Sequence, residues 1–210
     1  TTNVGREWLT PAHLNFQTKR IEFVSNNEWD VETIAIPEDW RQTASMIKHD
    51  RTAFVINHDG YDELSILIHQ VSTGRQPVAL PKGVISGLRF SRDGRYLAFA
   101  FNNATANSDV WRYDTLNGEL KQITHAARAG IPQESFVAPE LIHYKTFDGR
   151  EIPSWYYIPQ SLRPPSGRQN PLTIAGKQYF IKDIPVIVSV HGGPEGQERP
   201  AFNPIYQYFL

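Results

Sequence analysis

The sequence predicts two architectures in series: all-β propeller blades over residues 1–130, then the first part of an α/β domain over residues 131–210. Three observations carry this. Lys48-His49-Asp50-Arg51-Thr52-Ala53-Phe54-Val55-Ile56 resembles Ser91-Arg92-Asp93-Gly94-Arg95-Tyr96-Leu97-Ala98-Phe99, which sets Asp50 and Asp93 43 positions apart. Gly74, in Val-Ser-Thr-Gly-Arg, and Gly118, in Thr-Leu-Asn-Gly-Glu, are 44 apart. A period of about 40–50 residues with four strands per unit is the mark of a propeller blade. The third observation is the run Val186-Ile187-Val188-Ser189-Val190, bounded by Pro185 before it and Gly192-Gly193-Pro194 shortly after it. A short β-branched run between such breakers reads as a strand buried on both faces, of the kind found in parallel sheets.

The strands of the second repeat are expected at 84–90, 96–101, 109–114 and 120–124. Arg92-Asp93-Gly94-Arg95 turns between the first two, and Asn117-Gly118 precedes the fourth; Asn-Gly between apolar runs is a strong hairpin signal. In the first repeat the matching strands are expected near 44–47, 53–57, 64–70 and 76–80. A weaker unit is expected ahead of them, with 20–25 and 31–36 as its middle strands and Trp8-Leu9-Thr10 as the tail of a preceding blade. Residues 126–139 form a linker broken by Gly130, Pro132 and Pro139. A hairpin then joins 140–146 to 152–158 across Phe147-Asp148-Gly149-Arg150. A loop with Pro164, Pro165, Gly167 and Pro171 follows, then a short extra strand at 178–181. After Pro194 the reading is a polar loop over 195–200 and an aromatic-rich helix beginning in 202–210.

Composition narrows the function. Apolar residues make up 40% and charged residues 20%, as in a water-soluble globular protein. The net charge of −1 gives no reason to expect nucleic acid or an anionic membrane as partner. Without cysteine there is no disulfide, thiolate metal site or cysteine nucleophile. No apolar run approaches the roughly 18 residues that span a bilayer. The N-terminus has neither a basic region with an apolar core nor an initiator Met. The chain is therefore expected to start inside a longer protein, which leaves its compartment open: cytoplasm, periplasm or exterior.

His191-Gly192-Gly193 follows the β-branched run directly. Two glycines at the carboxyl end of a buried strand let the backbone approach a ligand and adopt φ > 0, and ligands of open α/β sheets bind at that end. This pattern reads either as an oxyanion loop, with a backbone N–H aimed at a negative oxygen, or as an ordinary strand-to-loop turn. Residues 190–200, Val-His-Gly-Gly-Pro-Glu-Gly-Gln-Glu-Arg-Pro, resemble the oxyanion-loop segment of the prolyl oligopeptidase family of serine peptidases, the acylaminoacyl-peptidase-like members most closely. Residues 141–159, with their Asp148-Gly149 hairpin and closing Pro159, are similar to the start of that family's catalytic domain. Together the two segments cover about the last third of the chain. The 160–182 excursion is longer than the family pattern there, which bears on strand register. The resemblance implies a propeller joined to an α/β-hydrolase domain, of which 131–210 would be the N-terminal part. It also implies hydrolysis of short peptides through an acyl-enzyme, with no cofactor or metal and with the oligomeric state open. By resemblance the oxyanion donor is the backbone N–H of Gly193, Gly192 allows the turn, and His191 positions the loop.

The family nucleophile sits in Gly-x-Ser-x-Gly, and residues 1–210 contain no such motif. The triad order Ser, Asp, His would place all three beyond the oxyanion loop, so His191 is not the triad base. His13, His49, His58, His69, His125 and His143 lack metal-site spacing. Gly176-Lys177 lacks the remainder of a phosphate loop, and Asp59-Gly60, Asp93-Gly94 and Asp148-Gly149 read as turns rather than calcium loops. Asn103-Ala104-Thr105 is a glycosylation sequon by pattern. Trp29, Trp40, Trp111 and Trp155 read as packing residues. Glu195, Glu198 and Arg199 would flank the substrate entrance by family position, or be plain solvated loop residues. The run 186–190 needs cover on both faces, which this reading expects from segments beyond Leu210.

Two other functions fit part of the pattern. Esterases also use a His-Gly-Gly loop, although the blade repeats argue against a simple esterase. A propeller-based binding or scaffold protein with a non-catalytic hydrolase tail is the other; a Gly-x-Ser-x-Gly farther along the full protein would separate the three. With no nucleophile motif, residues 1–210 alone are predicted to turn over no aminoacyl or peptidyl chromogenic substrate. Incubation with a fluorophosphonate serine probe checks this, and stoichiometric labelling would contradict it.

Overall fold

The computed structural model describes residues 1–26, 28–38, 51–68, 75–162, 172–174, 177–179, 184–193 and 196–210. The expected strand at 44–47, the landmarks Asp50 and Gly74, and the 163–171 prolines lie outside the described residues, as do Trp40, His49, His69, Gly176, Pro194 and Glu195. The chain divides into two units, Thr1–Asn102 with Ser108–Ala126, and Asn103–Asn107 with Ala127–Leu210. It is mostly β-sheet, with one short α-helix among the described residues.

In the first unit, β1 (Ala12–Leu14) and β2 (Ile21–Phe23) form a hairpin. Two four-stranded antiparallel meanders follow. One comprises β3 (Val31–Ala35), β4 (Arg51–His58), β5 (Tyr61–Ile68) and β6 (Arg75–Pro77). The other comprises β7 (Val84–Phe90), β8 (Tyr96–Asn103), β9 (Ala106–Asp114) and β10 (Leu120–Gln122). Four antiparallel strands in chain order are the construction of a propeller blade. β4, β5 and β6 begin at residues 51, 61 and 75, and β8, β9 and β10 at 96, 106 and 120, a constant offset of 45. The first strand differs from expectation. Residues 31–35 pair with β4, Ala35 opposite Ala53, so they open this meander rather than sit in the middle of an earlier unit. The buried positions of β3, Val31 and Ala35, supply the apolar side chains that match β4.

Turn chemistry explains the hairpins. Asp59 and Gly60 both have positive φ, 50° and 83°, the type I′ geometry whose twist suits a two-residue loop between β4 and β5. Ser91, Asp93 and Gly94 join β7 to β8, with the Ser91 hydroxyl accepting from the Tyr96 N–H at 2.9 Å. Asn117 and Gly118 lie between β9 and β10.

Period-two burial places the core. Ala53 and Val55 of β4 join Leu64, Ile66, Leu97, Phe99 and Phe101 in one cluster shared by both meanders, with Trp111 and Tyr113 against it. Phe54 and Ile56 point to the other face of β4, where they meet Val31 and the rim of Trp29. Burying a side chain such as Phe54 or Phe99 contributes about 1.5–3 kcal/mol. A polar staple crosses between the meanders: the Asp62 N–H donates to the Gly83 carbonyl at 2.8 Å, and the buried Asp62 carboxylate accepts from the Ile85 N–H at 2.6 Å.

The second unit contains the hairpin of β11 (Glu140–Lys145) and β12 (Glu151–Tyr156), closed by Thr146 and Gly149. It also contains the hairpin of β13 (Leu172–Ile174) and β14 (Lys177–Tyr179), and helix α1 (Pro204–Phe209). The strand expected at 178–181 overlaps β14 at residues 178 and 179, with 180–181 outside the described residues, and β14 pairs with β13, just after the expected loop. No helix among the described residues is long and apolar enough to cross a membrane.

Asp114, buried at the end of β9, accepts from Arg95 Nε and Nη2 at 3.1 and 2.9 Å and from the Leu116 N–H at 3.0 Å. The bonded Arg95 guanidinium holds the Asp114 carboxyl below its ordinary range; the Leu116 N–H adds to this and burial opposes it. A depressed folded-state pKa gives stability that is present above the unfolded value of about 3.9 and is lost as pH falls through the folded one. Asp114→Asn should therefore lower Tm at pH 7, with the deficit shrinking below about pH 4. Thermal unfolding at both pH values checks this; an equal deficit at each would refute the charge argument.

Candidate active site

Residues 184–193 depart from expectation. The run reads as a strand buried on both faces, yet residues 185–190 carry no regular structure, and Val186, Ile187, Val188 and Val190 are 81%, 68%, 78% and 80% exposed. β-branched residues favour extended backbone, but a strand exists only where a neighbour supplies its ladder and its cover. No described strand pairs with this run.

The loop that follows holds the three predicted site residues side by side on an exposed stretch. The backbone bends at both Gly192 and Gly193, and Gly193 has φ 68°, the left-handed region. A Cβ at either position would meet no atom within 4 Å, so the demand at Gly193 is conformational and not steric. The His191 ring lies with Nδ1 3.5 Å from the Gly192 carbonyl, beyond a good hydrogen bond. Gly196 returns onto the same atoms: a Cβ there would stand 2.6 Å from the Gly192 carbonyl oxygen and 2.8 Å from His191 Nδ1.

Past Gly196 the chain is anchored. Pro200 is fully buried, and Phe202 meets Phe136 edge to face at 5.2 Å. Asn203 then caps α1, its side-chain oxygen accepting from the Ile205 and Tyr206 N–H groups at 2.9 and 3.3 Å, with Pro204 in the first turn. Gln207, on the next position of α1, donates to the carbonyls of Ala104 and Val137 at 2.8 and 2.9 Å and accepts from the Val137 N–H at 2.8 Å. Ala104 belongs to the sequon Asn103-Ala104-Thr105, whose Asn103 side-chain oxygen accepts from the Thr105 N–H at 3.0 Å in the β8–β9 turn.

Tyr206 brings three segments together. Its hydroxyl is 2.7 Å from Ser189 Oγ and 2.8 Å from Glu198 Oε1. The phenol has one proton, so it donates to the Glu198 carboxylate and accepts from the Ser189 hydroxyl. The Ser189 bond favours the phenolate, but burial and the Glu198 carboxylate outweigh it, so the phenol titrates above its ordinary value. Trp155 on β12 donates its indole N–H to the Glu198 carbonyl at 2.8 Å, and Tyr157 packs edge-on against Tyr206 at 5.9 Å. Glu198 is thus a half-buried, bonded carboxylate and not a solvated one. Sequence reasoning passed over Ser189 and Tyr206. The sequence reading expects an aromatic-rich helix beginning in 202–210, but does not say which aromatic reaches the loop.

Gly196→Ala must displace the Gly192 carbonyl or the His191 ring. The expected result is a shift of the His191 imidazole resonances in NMR spectra with the β-sheet resonances unchanged; an unperturbed His191 would show that the loop tolerates the methyl group.

No protein-family model and no curated protein matches the chain. Solved structures do. Puromycin hydrolase has 18% identity and a TM-score of 0.71, over 96% of this chain and 28% of that one; the same protein was also solved as a mutant complexed with PGG. A puromycin-hydrolysing peptidase of Mycobacterium tuberculosis has 15% identity and a TM-score of 0.71, over 96% and 29%. A structure from a study of two prolyl endopeptidases has 14% identity and a TM-score of 0.54, over 68% and 20%. The chain spans less than a third of the length of each. In fold it is similar to a stretch of the puromycin hydrolases and of a prolyl endopeptidase.

Proposed function

We propose that this chain is part of a serine-type peptidase of the prolyl oligopeptidase family that hydrolyses short peptides through an acyl-enzyme. In this reading residues 1–130 are the C-terminal blades of its propeller. Residues 131–210 are the N-terminal part of its α/β-hydrolase catalytic domain, and His191-Gly192-Gly193 is its oxyanion loop. The observation that carries the proposal is the left-handed Gly193 beside His191, in a chain whose fold is similar to that of peptidases over 96% of its length. The complex of puromycin hydrolase with PGG supports peptides as the substrate class.

The chemistry assigned to the chain is electrostatic. When a serine hydroxyl attacks the scissile carbonyl, negative charge develops on its oxygen. A backbone N–H that already faces that position stabilises the charge without reorganising. The Gly193 N–H is the donor in this reading, and the exposed stretch around it leaves room for an acyl group. His191 contributes loop position and not proton transfer.

Losing one such donor costs on the order of 3–4 kcal/mol, or about 10²–10³ in turnover. A backbone donor cannot be removed by a side-chain change. Gly193→Val acts instead by excluding the left-handed backbone and crowding the acyl oxygen. In the complete, folded protein it should lower kcat and kcat/KM together by about two orders of magnitude or more, with KM little changed. His191→Ala should be milder. Steady-state kinetics on a peptidyl chromogenic substrate decide the matter: near-normal kcat in Gly193→Val with none in His191→Ala would move the chemistry to the imidazole.

A further inference from the structure

We propose that Tyr206 is a positioning residue for the oxyanion loop, clasping both ends of the loop through one phenol oxygen. The proposal rests on the reading of Gly193 as oxyanion donor and names what holds that donor in place.

Two residues before His191, Ser189 donates its hydroxyl to the phenol oxygen, at 2.7 Å. Two residues after Gly196, Glu198 receives the phenol proton, at 2.8 Å. One oxygen atom therefore joins the approach to the loop and the return from it. The loop needs such a fastening. Its residues 191–193 are exposed, and no atom stands within 4 Å of where a Gly193 side chain would begin. Preorganised donors work only when held within about 0.5 Å of the reacting geometry.

The clasp is itself held rigidly. Asn203 and Pro204 fix the first turn of α1, on which Tyr206 sits. Gln207 ties the same turn to Val137 and Ala104. On the other side, the Glu198 carbonyl is bound by the Trp155 indole N–H of β12. Tyr157 against the ring edge completes the setting. A half-buried phenol with both hydrogen-bonding capacities used on the two ends of one loop is more than surface packing would require.

The test uses the complete folded protein, a peptidyl chromogenic substrate and four variants. Tyr206→Phe keeps the ring and removes only the oxygen. It should lower kcat by about 10- to 10²-fold with KM little changed, since small misplacements of catalytic groups cost that much. Glu198→Ala should cost a similar factor, and Glu198→Gln, which keeps an acceptor oxygen for the phenol, should recover most of it. A role in general stability alone would lower Tm without splitting kcat from KM and without the Gln rescue. Gly193→Val, measured alongside, separates the two ideas. If Gly193→Val loses turnover while folded Tyr206→Phe keeps it, the clasp is refuted and the oxyanion reading survives. If Gly193→Val keeps turnover, the oxyanion reading falls and the clasp with it.

Discussion

A β-branched run becomes a strand only where another chain segment covers it, and two stretches of this chain show the rule from opposite sides. In β4 the alternating side chains are all used: Ala53 and Val55 face the core shared with the second meander, and Phe54 and Ile56 face Val31 and Trp29. β3 and β5 occupy both its edges. The rest of the first unit is arranged to provide that cover. The run Val186-Ile187-Val188 also prefers extended backbone, but no described strand pairs with it and its side chains face solvent. Propensity favoured extended backbone in both places; tertiary cover was present in only one.

The polar connections of the first unit follow from the same constraint. Two meanders packed face to face bring backbone groups at their rims out of water, and each such group needs a partner. Asp62 answers this for β7, and Asp114 for the loop after β9, where it also neutralises Arg95. Such carboxylates are buried because the fold has specific N–H groups and a guanidinium waiting for them, which is the circumstance in which burying a charge is tolerated.

In the second unit, order comes from hydrogen bonds more than from burial. The described residues of α1 are none of them fully buried, yet Asn203 caps its first turn, and Tyr206 and Gln207 bind groups on other segments. Puromycin hydrolase and a prolyl endopeptidase contain stretches of similar fold, and the proposed oxyanion role uses only backbone atoms of the loop.

Local chemistry was legible in the residues themselves. The repeat spacing near 43–44 found the two meanders, whose strands recur at a constant 45, because turn residues such as Asp59-Gly60 and Asn117-Gly118 act over a few bonds. The helix over Pro204–Phe209 falls within the aromatic-rich helix expected in 202–210. The prolyl oligopeptidase resemblance came from the contiguous motif around His191, Gly192 and Gly193. What residue order could not say was which strand pairs with which. Val31–Ala35 belongs to the later meander because Ala35 faces Ala53, a choice made by packing across an intervening connection. Nor could it say that Tyr206 would meet both Ser189 and Glu198, 17 and 8 residues away in sequence. Turns, caps and motifs are decided by neighbours along the chain and are written there. Strand partnership, burial and the Tyr206 contacts are decided by neighbours in space, and only the tertiary structure brings those together.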